Sequence, residues 1–129
     1  MTTFTIEGAA VHDIASLYNE LDRVFMADED WQLGPSLDAL NDLLHGGFGA
    51  LHGHDAVRIV WRDHAASRRA LGRETTAEYY REKLRHPETF SAERFEPLLD
   101  AVEAGTGSTY FDIVLEVFAD HPEIELVLA

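Results

Sequence analysis

The sequence predicts an α/β fold, a small three-stranded parallel sheet packed with helices. Three observations lead there. Short runs rich in β-branched and aromatic residues, at 4–6, 57–61 and 124–128, read as strands. Helical periodicity separates each run from the next, and strands joined through helices enter a sheet in parallel by right-handed crossovers. The 129 residues leave room for one domain and no second, so residues 1–129 are read as a single unit.

The first strand ends at Glu7-Gly8, a turn signal. Asp13 then caps a helix whose apolar positions Ile14, Leu17, Tyr18, Leu21, Val24 and Phe25 recur at helical spacing. A loop, MADEDWQLGPS, follows by its acids, Gly34 and Pro35. Ser36 caps a second helix, LDALNDLL, with Leu37, Leu40, Leu43 and Leu44 as its buried stripe and Asp38, Asn41 and Asp42 together on the opposite face. The helix stops in HGGFG, where Gly46, Gly47 and Gly49 permit positive φ.

VRIVW at 57–61 reads as a buried central strand with Trp61 in the core, and residues 65–71 start a third helix. Two further helical stretches, TTAEYYREKLR and SAERFEPLLDAVEA, are separated by His86-Pro87, and the second ends at Gly105. Ser108 is read as the cap of a last helix with Tyr110, Phe111, Val114, Leu115 and Phe118 inward.

Composition narrows the function. The chain carries 24 acids against ten bases, a formal charge of −14, yet 46% of it is apolar, which is globular rather than disordered. Such a charge opposes nucleic acid and anionic membrane and favours basic protein partners. It is also uneven: ten acids and one base over 1–56, six acids and nine bases over 57–94, eight acids and no base over 95–129. Asp28, Glu29, Asp30, Asp38 and Asp42 fall in the loop and second helix with no base among them. Cysteine is absent, and MTTFTIEGAA has neither a basic start nor an apolar run of signal-peptide length, so the expected location is cytoplasmic.

Catalytic motifs are few. HGGFGALHGH resembles oxyanion-hole runs, but no G-x-S-x-G accompanies it. His45, His52, His54 and His64 could bind a metal, which leaves a small metal-dependent hydrolase as an alternative. The preferred reading has no catalysis, metal or cofactor.

Four blocks, TIEGAAVHDIASLYNEL, LGPSLDALNDLLHGG, VRIVWRDHAASR and STYFDIVLEVFAD with IELVLA, resemble in order the barstar family of ribonuclease inhibitors. The G-x-x-L-D-A-L-x-D-x-L pattern from Gly34 to Leu44 is the specific one. The resemblance covers most of 4–73 and 108–129, and residues 74–107 look like an inserted helical pair.

The resemblance implies an inhibitor that plugs a ribonuclease active site with the loop after the first helix and the start of the second. Asp42 would stand where RNA phosphate stands, supported by Asp38, with Asp120 at the periphery. The family's aromatic positions fall on Gln32, Asn41 and Gly47, with Trp31 and Phe48 one residue from two of them as replacements. Aromatics commonly dominate binding energy, so the implied partner is a basic ribonuclease or ribonuclease toxin domain other than barnase, met by a free monomer. A regulatory module that keeps this fold and binds a protein other than a nuclease is a further alternative.

Overall fold

Strands β1 (Thr2–Glu7), β2 (Val57–Arg62) and β3 (Ile124–Leu128) form one parallel sheet in that order in the computed structural model, which describes residues 1–129. The α/β class and the three strands agree with the sequence reading. Register places Phe4 beside Ile59 and Ile59 beside Leu126, with Ile6 beside Trp61 on the same face.

Along β2, Val57, Ile59 and Trp61 are buried while Arg58 and Arg62 are exposed. The strand expected to be buried is therefore buried on one face only. Its other face carries ion pairs across the strands, Arg58 to Glu125 at 2.9 Å and Arg62 to Glu7 at 3.3 Å. Parallel sheets are usually covered on both faces, and charged side chains here substitute for the second layer.

Helix α1 (Ile14–Phe25) opens with a capping box. Asp13 Oδ1 accepts from Ser16 N–H (2.8 Å), and Ser16 Oγ accepts from Asp13 N–H (2.9 Å). Its buried face is Leu17, Tyr18, Leu21 and Phe25. Helix α2 (Leu37–Leu44) starts at Ser36, whose Oγ accepts from Ala39 N–H. Leu40, Leu43 and Leu44 are buried, but Leu37, expected in the same stripe, is half-buried because the first turn of α2 lies at the rim of a groove.

Helices α3 (His64–Ala70), α4 (Arg73–Leu84), α5 (Ala92–Glu103) and α6 (Tyr110–Ala119) complete the chain. The cap of α6 is Thr109 rather than Ser108. Asp112 explains the difference: its carboxylate accepts from Thr109 N–H (3.0 Å) while Thr109 Oγ1 accepts from Asp112 N–H (3.2 Å), and a capping box needs its partner three residues after the cap.

The main core comprises 21 buried residues, most of them from the sheet and from helices α1, α2 and α6, with Val11, Met26, Leu33, Leu51 and Leu71 added from the connections. At its end, Trp61 Nε1–H donates to Ser67 Oγ (3.0 Å), and the Ser67 hydroxyl donates to the Gly8 carbonyl (2.9 Å). A Cβ on Gly8 would lie 2.3 Å from the Arg62 carbonyl oxygen, so glycine alone allows the two backbones to approach. A second, smaller cluster of Ala77, Tyr80, Phe95 and Val102 joins α4 to α5. Buried Thr76 ties this pair to α6, its Oγ1 accepting from Tyr110 N–H (2.7 Å). No helix is long and apolar enough to cross a membrane.

One carboxylate holds α1 against β1. Glu20, 5% exposed, accepts from Glu7 N–H (2.7 Å) and from both Nε and Nη2 of Arg23 (2.7 and 2.6 Å). The Arg23 hydrogen bonds hold its carboxyl below the usual range against the opposing effect of burial. A group whose folded value is depressed adds stability that is complete above its unfolded value and is lost as pH falls through the folded one. Urea midpoints are therefore expected to drop on acidification below the ordinary glutamate range, and Glu20→Gln is expected to make that acid limb shallower. An unchanged limb in the variant would show that Glu20 does not carry it.

Candidate functional site

The acidic loop between α1 and α2 is fastened at both ends. Met26 and Leu33 are buried, and Leu33 N–H donates to Asp22 Oδ1 on α1 (2.9 Å). Between these anchors Asp28 and Asp30 are exposed and Glu29 is half-buried. Trp31 is 46% exposed and rests on Phe48, ring centroids 4.8 Å apart, while Phe48 packs on the main core. Phe48 thus belongs to the edge of the core, and Trp31 lies over it with nearly half its surface exposed. Exposed Gln32 joins Trp31, Asp30, Asp22 and Arg23 along an open groove beside α1.

On α2 the buried leucines set the outward face. Asp38 and Asp42, four residues apart, are both exposed, and neither is hydrogen-bonded or ion-paired through its carboxylate. Asn41 departs from the expectation that it shares this face. At about 100° per residue it lies about 60° from Asp38 and only about 40° from Leu37, on the flank toward α6. There Asn41 is half-buried, and its Oδ1 accepts from His121 Nε2–H (2.8 Å).

His121 is 4% exposed, with its ring edge-on to His45 at 4.8 Å and its Nδ1 3.6 Å from Glu123. Sequence reasoning missed it, since nothing local connects it to a partner 80 positions away. Asp120, the exposed C-cap of α6, immediately precedes His121. On the other flank of α2, Asp38 lies beside Tyr79 of α4, whose hydroxyl is held above its usual range by burial first, with the Asp38 carboxylate adding to it.

The glycine segment closes the site's far end. Gly46, φ +79°, reverses the chain after His45, and its N–H donates to the Leu43 carbonyl (3.0 Å). Gly47 has open space where a Cβ would stand, whereas a Cβ on Gly49 would meet the Phe25 carbonyl oxygen at 2.8 Å. Gly49 is required by packing, and Gly47 leaves bare backbone at the surface.

The four histidines of the hydrolase alternative do not converge. His52 Nδ1 pairs with the Gly46 carbonyl, His64 Nδ1 with the Ala129 carbonyl, and His54 Nδ1 lies 3.5 Å from Thr2 Oγ1, while His45 packs on His121. No three His, Cys, Asp or Glu side chains come together as a metal-holding group. Each of the four thus has a different neighbour: a backbone carbonyl for His52 and for His64, the Thr2 hydroxyl for His54 and the His121 ring for His45.

A family model described as Barstar (barnase inhibitor) matches residues 1–103, a span that contains the loop, α2 and the α4–α5 pair. No curated protein matches the chain.

The chain has two tryptophans, and their environments are opposite, Trp31 46% exposed and Trp61 fully buried. Acrylamide is expected to quench one emitting population readily and the other hardly at all. Trp31→Phe should remove the accessible, red-shifted component. Equal quenching of wild type and variant would mean that the loop does not present Trp31.

Proposed function

We propose that this chain, which belongs to the barstar family, inhibits a basic ribonuclease by seating α2 and the acidic loop before it in the enzyme's active site. The family consists of inhibitors of barnase-type ribonucleases rather than enzymes. The observation that carries the reading is the pair Asp38 and Asp42, exposed and without ion-pair partners on the face of α2 opposite its buried leucines.

The physical chemistry is direct. A ribonuclease site gathers cations around a phosphate, and a carboxylate on a fixed helix meets them with charge-assisted hydrogen bonds. Asp42 takes the place of the phosphate, Asp38 reinforces it, and Asp120 adds charge at the periphery. Because the leucines already hold α2 in place, little conformational entropy is lost on docking. Trp31, resting on Phe48, supplies the aromatic contact on the loop side with Gln32 beside it. Gly46 and Gly47 admit close backbone approach at the other end. Asn41, engaged with His121, positions α2 more than it touches the partner. The absence of aromatics at Gln32, Asn41 and Gly47 turns specificity away from barnase and toward a different basic ribonuclease, including a ribonuclease toxin domain to which the chain would confer immunity. The free protein acts as a monomer in the cytoplasm.

The test is an RNA-cleavage assay against a panel of basic ribonucleases and ribonuclease toxin domains, barnase included. At least one is expected to be inhibited stoichiometrically, with barnase inhibited weakly or not at all. Asp42→Ala should weaken that complex by about 2–5 kcal/mol, since a buried cation loses its partner. Full protection by the variant would remove Asp42 from the site, and failure to inhibit any nuclease would overturn the reading.

Steering gives an independent check. With ten acids and one base over residues 1–56, association is expected to slow steeply as added salt shortens the Debye length from about 10 Å at 0.1 M to about 3 Å at 1 M. Stopped-flow on-rates that ignore salt would exclude electrostatic steering.

A further inference from the structure

A second groove opens directly beside α2, between its first turn, helices α4 and α5, and α6. Ser36, Leu37 and Asp38 form one wall, so it is continuous with the carboxylate face of α2. The opposite wall is aromatic and basic. Lys83 Nζ stands over three rings, Phe90 at 4.1 Å, Tyr79 at 4.8 Å and Phe95 at 5.9 Å, and the Arg94 guanidinium lies 5.1 Å from the Phe95 ring centroid.

Arg58, Arg62, Arg81 and Arg85 are committed to carboxylates, whereas Lys83 and Arg94, like Arg68, Arg69 and Arg73, form no ion pair, and of these five only Lys83 and Arg94 line the groove. In a chain of net charge −14, acids to neutralise them are plentiful, and the groove nonetheless keeps both cations facing it. Leu98, 39% exposed, supplies apolar floor beside them. Acids are present only at the edges, Asp38 on the α2 side and Glu116 on α6.

We propose that this groove is a second docking surface for the same ribonuclease, receiving a segment that carries a carboxylate next to an apolar side chain. The proposal rests on the inhibitor reading. Charge complementarity assigns the occupant: α2 addresses the nuclease's cations, and Lys83 and Arg94 address an acid on its rim. Continuity along Asp38 lets one partner reach both. A polyanion such as RNA fits the two cations alone but is opposed by the acidic surface around them. The α4–α5 pair thereby sets specificity, because a nuclease lacking an acid at that rim would face two unmatched cations.

The experiment measures affinity for the ribonuclease inhibited by the wild-type chain, using Arg94→Glu, Lys83→Gln and their combination beside Asp42→Ala, with thermal unfolding to verify folding. Arg94→Glu is expected to weaken the complex about tenfold or more by placing like charges together, Lys83→Gln less, and the combination most. Arg94→Glu that binds as tightly as wild type, or more tightly, while Asp42→Ala still loses affinity, overturns the groove proposal and leaves the inhibitor reading standing. If Asp42→Ala is also without effect, α2 is not the inhibitory face and the groove proposal, which rests on its continuity with that face, falls; a chain that inhibits no ribonuclease at all fails the inhibitor reading itself. Binding of a short single-stranded RNA to the wild-type chain that is lost in Arg94→Glu would instead make the groove an anion site and overturn the proposal.

Discussion

Burial of Leu40, Leu43 and Leu44 fixes the rotation of α2, and the arrangement of the site follows from that. All three are exposed to 2% or less. An eight-residue helix with three such anchors cannot turn about its axis without exposing them, and burying a leucine is worth about 1.5–3 kcal/mol. Asp38 and Asp42 are consequently held outward together. Truncating any of the three leucines would damage the site through the helix's orientation before it altered any charge.

Helix α2 is further secured along both flanks by elements distant in sequence. On one side the Asn41–His121 bond ties it to the turn after α6. On the other, its first turn faces Tyr79 and the α4–α5 pair. That pair has its own small core, and Thr76 links it to the start of α6. Helix α6 thus braces α2 twice, through His121 in the turn that follows it and through α4. A rigid carboxylate face on so short a helix depends on this bracing, since isolated helices below about 12–15 residues are marginal in water.

The parts legible in the sequence are those governed by local periodicity and capping chemistry. Asp13 and Ser36 before their apolar repeats located α1 and α2, and the leucine spacing located the outward aspartates. Where a residue's role depends on a distant partner, the pattern had no means of expressing it. Asn41 sits on a boundary of the helical wheel, and only His121 draws it inward. The same limit explains the four histidines, which take separate partners and gather no third metal-ligating side chain. One-faced burial of the sheet was equally hidden, because VRIVW alternates its apolar and basic residues only weakly. Thr109 displaced Ser108 as a cap by one position through the choice of which residue Asp112 answers.

The distribution of bases completes the physical picture. Arg58, Arg62, Arg81 and Arg85 lie in ion pairs on the open face of the sheet and along α4, away from the acidic loop and α2. Arg23, the one base within residues 1–56, is engaged by Glu20. The carboxylates of Asp28, Asp30, Asp38 and Asp42 form no ion pair and repel one another, the nearby bases being Arg23, held by Glu20, and Lys83 and Arg94 in the groove that Asp38 borders. Self-repulsion of this kind is unfavourable in the free protein and is relieved when cations arrive from outside. The leucines beneath α2 keep the carboxylates of Asp38 and Asp42 aimed in a single direction.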